Sequence, residues 1–271
     1  MKKKTVVAGS FYPKEKELLL KMLNYLFLQA KTTPISKHQK PLAIVVPHAG
    51  YIFSGQIAAS AYTMIQGYDY KKVVLIAPSH TNHDHPFFIG KYEEYETPFG
   101  NIKTEPQLIN YFLAKKEFCF DTFIDKKEHA LEVQLPFIYY LNPEIFLIPI
   151  LFCQQELSHA LLLSNYLNNI YTEDTLFIIS TDLSHYHSAT TAEKLDQTLI
   201  KDFAKLDLYS LVNNYNQQRI EACGIGGILT IVDLATRLGN VAIYGINYAH
   251  SGMFSGDYTQ VVGYFSCGLF H

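Results

Sequence analysis

Leu176-Phe177-Ile178-Ile179-Ser180-Thr181-Asp182-Leu183-Ser184-His185 passes from an unbroken apolar run into residues able to do chemistry. A continuous apolar run of this length fits a strand buried on both faces, as in a parallel sheet. Three other segments repeat the pattern. Residues 42–47 end in Val45-Val46-Pro47 and lead to His48. Residues 73–78 end in Ala77-Pro78 and lead through Ser79 to His80. Residues 145–152 form a fourth run with no such ending.

Helical patterns separate these runs, at residues 54–66, 156–169, 190–206 and 224–238. Two further strand candidates, 240–247 and 260–269, close the chain. Strand alternating with helix implies an α/β fold with a largely parallel central sheet covered on both faces. The length of 271 residues and the absence of a composition break suit a single domain over 1–271.

Composition narrows the function classes. A net charge of −3 gives no basic surface for nucleic acid or an anionic membrane. The run Lys2-Lys3-Lys4 is a solvated terminus, and no apolar segment follows it as in a leader peptide. The longest apolar runs are too short to span a bilayer. The four cysteines form no CxxC pair, so reduced thiols and a cytoplasmic location are expected.

Ligands of open α/β sheets bind outside the carboxyl ends of the strands. Three strands deliver His48, His80, Asp182 and His185 to that edge, so a pocket is expected there. Cys223 stands in Glu221-Ala222-Cys223-Gly224-Ile225-Gly226-Gly227, just before a helix. A helix N-terminus favours the thiolate, which is both nucleophile and metal ligand. A small buried apolar residue is an equal reading of the same cysteine. Two histidines and a thiolate can hold a transition metal and leave positions open. Asp182 and His185 would then orient ligands or move protons. His83, His85 and His187 are reserve candidates near the rim. In Glu128-His129-Ala130-Leu131-Glu132-Val133-Gln134-Leu135-Pro136, helical spacing would put Glu128 and Glu132, or His129 and Glu132, on one face towards the pocket.

These motifs, in this order, resemble the Memo family, whose bacterial and archaeal members are called AmmeMemoRadiSam system protein B. The resemblance runs through Val7-Ala8-Gly9-Ser10-Phe11-Tyr12-Pro13, Pro47-His48-Ala49-Gly50-Tyr51, Ala77-Pro78-Ser79-His80 and Thr97-Pro98-Phe99-Gly100. It continues through Glu128-His129, Ser180-Thr181-Asp182-Leu183-Ser184-His185, Cys223-Gly224 and Gly256-Asp257. It implies a fold similar to class III extradiol dioxygenases, which bind non-haem Fe(II) through two His and a Glu. It implies metal ligands His48, His80 and Cys223, the cysteine replacing the carboxylate, with Asp182 and His185 as the remaining pocket residues. Iron or copper, a redox role and a radical SAM partner protein with other AmmeMemoRadiSam components are what the resemblance implies. A thiolate beside bound O₂ is itself oxidisable, which argues against ring cleavage. His250 stands where such proteins carry a smaller polar residue and adds one more donor near the pocket.

Two other functions compete. The pocket could capture a peptide or partner loop, with Tyr51, Phe53 and Tyr258 as walls. Alternatively, Cys223 could be a nucleophile, with His48 or His185 as base and Asp182 as orienter.

Overall fold

The computed structural model describes residues 1–31, 40–81, 84–121 and 127–271. In chain order, β1 (Lys2–Lys3) and α1 (Lys16–Gln29) come first, then β2 (Pro41–Val46) and α2 (Tyr51–Tyr62). Next come β3 (Lys72–Pro78), β4 (Phe87–Ile89), β5 (Glu94–Thr97), β6 (Gly100–Lys103), α3 (Pro106–Leu113) and β7 (Phe118–Cys119). The middle of the chain forms α4 (Leu135–Leu141), β8 (Phe146–Phe152), α5 (Leu157–Ile170), β9 (Thr175–Ser180) and β10 (His185–His187). The last part forms α6 (Ala189–Ala204), α7 (Leu208–Asn216), α8 (Ile225–Leu238), β11 (Ala242–His250), α9 (Gly252–Ser255) and β12 (Val261–Phe270).

Four strands form the heart of the sheet in the order β2-β9-β3-β8, all parallel. They are the four apolar runs of the sequence, with bounds shifted by a residue or so. Around them most pairings are antiparallel, the exception being β7, which runs parallel to β4 at the edge. β12 pairs with β2, β10 and β11, and β4 pairs with β8. The two closing strands therefore form a hairpin-like pair rather than further parallel members. A short separate sheet joins β1 to the hairpin of β5 and β6.

Successive side chains along each strand go to opposite faces, so each central strand feeds two cores. Val45, Val74, Ile76, Ile150, Phe177 and Ile179 pack with Leu163, Leu167, Ile228 and Leu229 under α5 and α8. Ile44, Val46, Leu75, Leu147 and Ile178 pack with Leu19, Leu23, Ala58 and Phe137 under α1, α2 and α4. Helix α1 is not among the helices expected from the sequence, although Leu19, Leu23 and Leu26 recur at helical spacing and are buried. It crosses α2 closely at Gly55, where a Cβ would stand 2.8 Å from Leu26 Cδ1.

The segment after residue 127 departs from the expected helix. It stays without regular structure until a single 3-10 turn at Glu132–Gln134 leads into α4. Glu128 and Glu132 consequently point in different directions. Glu132 faces the N-terminal segment. Its carboxylate accepts Val6 N (2.6 Å), Val7 N (2.9 Å) and the Tyr12 hydroxyl (2.7 Å).

Two stability outcomes follow from this packing. Phe177→Ala removes a fully buried ring at the centre of the sheet and should cost about 3–5 kcal/mol in denaturant unfolding. Glu132→Ala strands three donors beneath the N-terminal segment. It should cost about 2–4 kcal/mol and expose residues 6–12 to limited proteolysis. An unchanged unfolding midpoint would refute either assignment.

Candidate metal centre

His48 follows β2 and is buried to 2% exposure. Its backbone N–H donates to Asp182 Oδ1 at 2.8 Å, tying the end of β2 to the end of β9. Its Nδ1 lies 2.9 Å from Ser180 Oγ. Ser180 has one proton, and Oγ gives it to the Ala130 carbonyl at 2.8 Å. Gln134 Nε2 donates to the same Oγ at 2.9 Å and to the Pro47 carbonyl at 2.8 Å. Ser180 can therefore only accept from His48, so Nδ1 carries the proton and Nε2 keeps a free lone pair. Burial, followed by the nearby His80, His129 and His185, pushes His48 well below the usual imidazole range.

His80 follows β3 and is held by Glu128. The carboxylate accepts His80 N at 2.6 Å and His80 Nδ1 at 2.9 Å, and also His129 N and Ala130 N at 2.9 and 3.0 Å. Again Nδ1 is committed and Nε2 is left for a ligand. The hydrogen bond that His80 donates to Glu128 raises the His80 pKa. Burial would raise Glu128, but its bonds to His80 hold it below the usual value.

Cys223 precedes α8. Its Sγ is 3.3 Å from His48 Nε2 and accepts Asp182 N at 3.3 Å. The ligand atoms of His48, His80 and Cys223 all lie within 4.8 Å of one another. Donors on one ion at about 2.0 Å for nitrogen and about 2.3 Å for sulfur stand a similar few ångströms apart. Two imidazole nitrogens with tethered partners and one sulfur therefore fit a transition metal. The three residues are those named from the sequence.

Of the two readings of Cys223, the activated thiolate is not the one found, because two amides at the start of α8 are taken by other acceptors. Gly224 N donates to Thr181 Oγ1 at 3.0 Å, and Gly226 N to Gln155 Oε1 at 2.7 Å. Burial, then the charge of Asp182, instead pushes the Cys223 thiol up to about 12.

Asp182 is 5% exposed, and burial raises its carboxyl to about 7 against the bonds from His48 N and Ala49 N. His185 begins β10 and is more open. Burial lowers its pKa, and it sits within electrostatic range of His48 and His80. His129 also belongs to the site. Its ring stacks on His80 at 4.9 Å and meets His48 at 5.6 Å, with Phe11 4.9 Å away on another side. Burial keeps its pKa low. His80, Glu128 and His129 form a second cluster of donors within 4.8 Å, sharing His80 with the first.

The remaining candidates lie apart. Glu132 serves the N-terminal segment. His187 pairs with Glu221 at 2.9 Å. His250 sits 3.5 Å from Glu193 and 5.7 Å from the Tyr258 ring, outside both donor clusters. His85 is exposed, and His83 lies outside the described residues. Tyr51 is buried with its hydroxyl on the Val133 carbonyl, so it is no pocket wall. All four cysteines are free. Among the described residues, no helix is long and apolar enough to cross a membrane.

Fold and site together define an α/β protein with a His/His/Cys donor set at the carboxyl edge of a parallel sheet. Comparison with known proteins identifies which such protein family this is. Residues 3–267 match the family model described as Memo-like protein. A MEMO1 family protein of Thermotoga maritima is 32% identical over the full length of both chains. One from Aquifex aeolicus is 36% identical over 95% of each, and one from Methanosarcina mazei 32% over 95% of each. The chain belongs to the Memo family.

The sulfur environment sets a reactivity. In metal-free protein at pH 8, the raised thiol stays protonated, so iodoacetamide should alkylate Cys223 at least tenfold more slowly than free cysteine, whose pKa is about 8.5. The rate should rise only as pH climbs well above 9. Mass spectrometry of the Cys223 peptide reads this directly, and labelling at the free-cysteine rate would overturn the assignment.

Proposed function

We propose that this protein is a metal-dependent redox protein that takes iron or copper on His48 Nε2, His80 Nε2 and Cys223 Sγ. The observation that carries the reading is the pair of tethered imidazoles. Ser180 and Glu128 each engage Nδ1 of a histidine, and one donor atom of each histidine lies within 4.8 Å of the Cys223 sulfur. When bound, such an ion supplies one-electron chemistry and Lewis acidity beside a soft sulfur donor.

The chain's own groups then have separate tasks. Asp182, with its pKa near 7, holds or releases a proton at neutral pH. His185, held neutral by burial, can accept one from the open side. The Asp182 amide aims at the Cys223 sulfur and withdraws electron density from it. Use of Cys223 as a nucleophile is disfavoured, because a thiol raised to about 12 beside a carboxyl is not activated.

Metal analysis of protein prepared without oxygen tests the reading. Wild-type protein should retain close to one iron or copper ion per chain. Cys223→Ser should lower affinity by about tenfold or more, and Ser180→Ala by about 10–100-fold through loss of the His48 orienter. Protein that retains neither metal and binds neither tightly on titration would exclude the function.

A further inference from the structure

Asp182 and His185 hang on a short turn beyond β9, and something must fix that turn against Cys223. The inference here rests on the metal-site reading only for its consequence at the metal. We propose that Asp196 is the positioning residue of the site. It locks the turn 182–185 so that the Asp182 amide stays aimed at the Cys223 sulfur.

Asp196 lies on α6 and is wholly buried. A carboxylate in such a place is costly without donors. It has two, from different elements. Oδ1 accepts the Ser184 amide at 3.0 Å, and Oδ2 accepts the Tyr248 hydroxyl of β11 at 2.7 Å. The approach is possible because residue 263 of β12 is glycine. A Cβ there would stand 2.0 Å from Asp196 Oδ2. The backbone of Gly263 grips the same turn, accepting Leu183 N at 2.8 Å and donating to Ser184 O at 2.9 Å. The turn is thus clasped by a peptide group on one strand and a carboxylate on a helix.

What the clasp holds is the thiol environment. Asp182 N donates to Cys223 Sγ at 3.3 Å, Cys223 N donates to Asp182 O at 3.3 Å, and His48 N donates to Asp182 Oδ1 at 2.8 Å. Asp196 acts on the sulfur through this turn. Hydrogen bonding around a cysteine sulfur tunes the metal it binds, and the turn held in this place leaves Cys223 only partly exposed.

The test uses the full chain as Asp196→Asn, Asp196→Ala and Tyr248→Phe. Asparagine keeps an acceptor for the Ser184 amide, whereas alanine removes it. In metal-free protein, iodoacetamide should label Cys223 about tenfold or more faster in Asp196→Ala, within about twofold of wild type in Asp196→Asn, and at an intermediate rate in Tyr248→Phe. With Co(II) added, the thiolate-to-cobalt absorption band should shift in Asp196→Ala and stay in place in Asp196→Asn. Equal labelling in folded wild type and Asp196→Ala would overturn the proposal. So would equal acceleration in the alanine and asparagine variants, since charge rather than the clasp would then be at work. Should Asp196→Ala not fold, Tyr248→Phe decides: wild-type labelling overturns the proposal, and faster labelling upholds it. If the labelling pattern holds but cobalt gives no thiolate band in wild type, the metal reading fails and the clasp stands.

Discussion

The parallel register of β2 against β9 is the constraint on which the site depends. Val46 pairs with Ser180, so the residues that follow, His48 and Asp182, leave the sheet side by side. The neighbouring pairing of β3 with β9 delivers His80 to the same edge. A one-residue slip would invert every side chain of the strand and send the two cores to the wrong faces. The apolar burial on both faces therefore fixes the site's geometry as a by-product of fixing the fold. The bond from His48 N to Asp182 Oδ1 links the two strand ends once the register is set.

The orientation of the histidines rests on a smaller economy. One hydroxyl proton on Ser180, spent on the Ala130 carbonyl, decides which nitrogen of His48 is bare. One carboxylate, Glu128, does the same for His80 while also closing the backbone turn that leads to His129. Both orienters depend on the segment 128–134, which supplies Glu128, the Ala130 carbonyl and Gln134. That segment is short of regular structure because its backbone and side-chain groups are committed to the site.

Much of this arrangement is legible in the sequence, and the reasons are physical. Strands buried on both faces must be continuously apolar, so β2, β3, β8 and β9 stand out, and chemistry-bearing residues at their ends are conspicuous. The His48, His80 and Cys223 donors emerge from that logic together with the Memo resemblance. What stays hidden is whatever depends on direction. Glu128 and Glu132 look like partners on one helical face, but the chain turns between them and they serve different segments. Asp196 sits in a polar stretch that reads as a solvent-facing helix side, and its burial becomes visible only when Gly263 opens room for it. The protonation of Cys223 stays open in the sequence for a similar reason. Position before a helix is visible in sequence, whereas the capture of the helix's amides by Thr181 and Gln155 is not.

The donors His48 and Cys223 touch although 175 residues separate them along the chain. Closing so long a loop is costly until the strands between are in place, so contacts of this kind form late in folding. During synthesis, a ribosome that has released residues 1–200 has made both histidines and every central strand, yet the donor set still lacks its sulfur. An ion captured by the three donors together would therefore report a chain made at least as far as Cys223, and loading would be a late step rather than one of early folding.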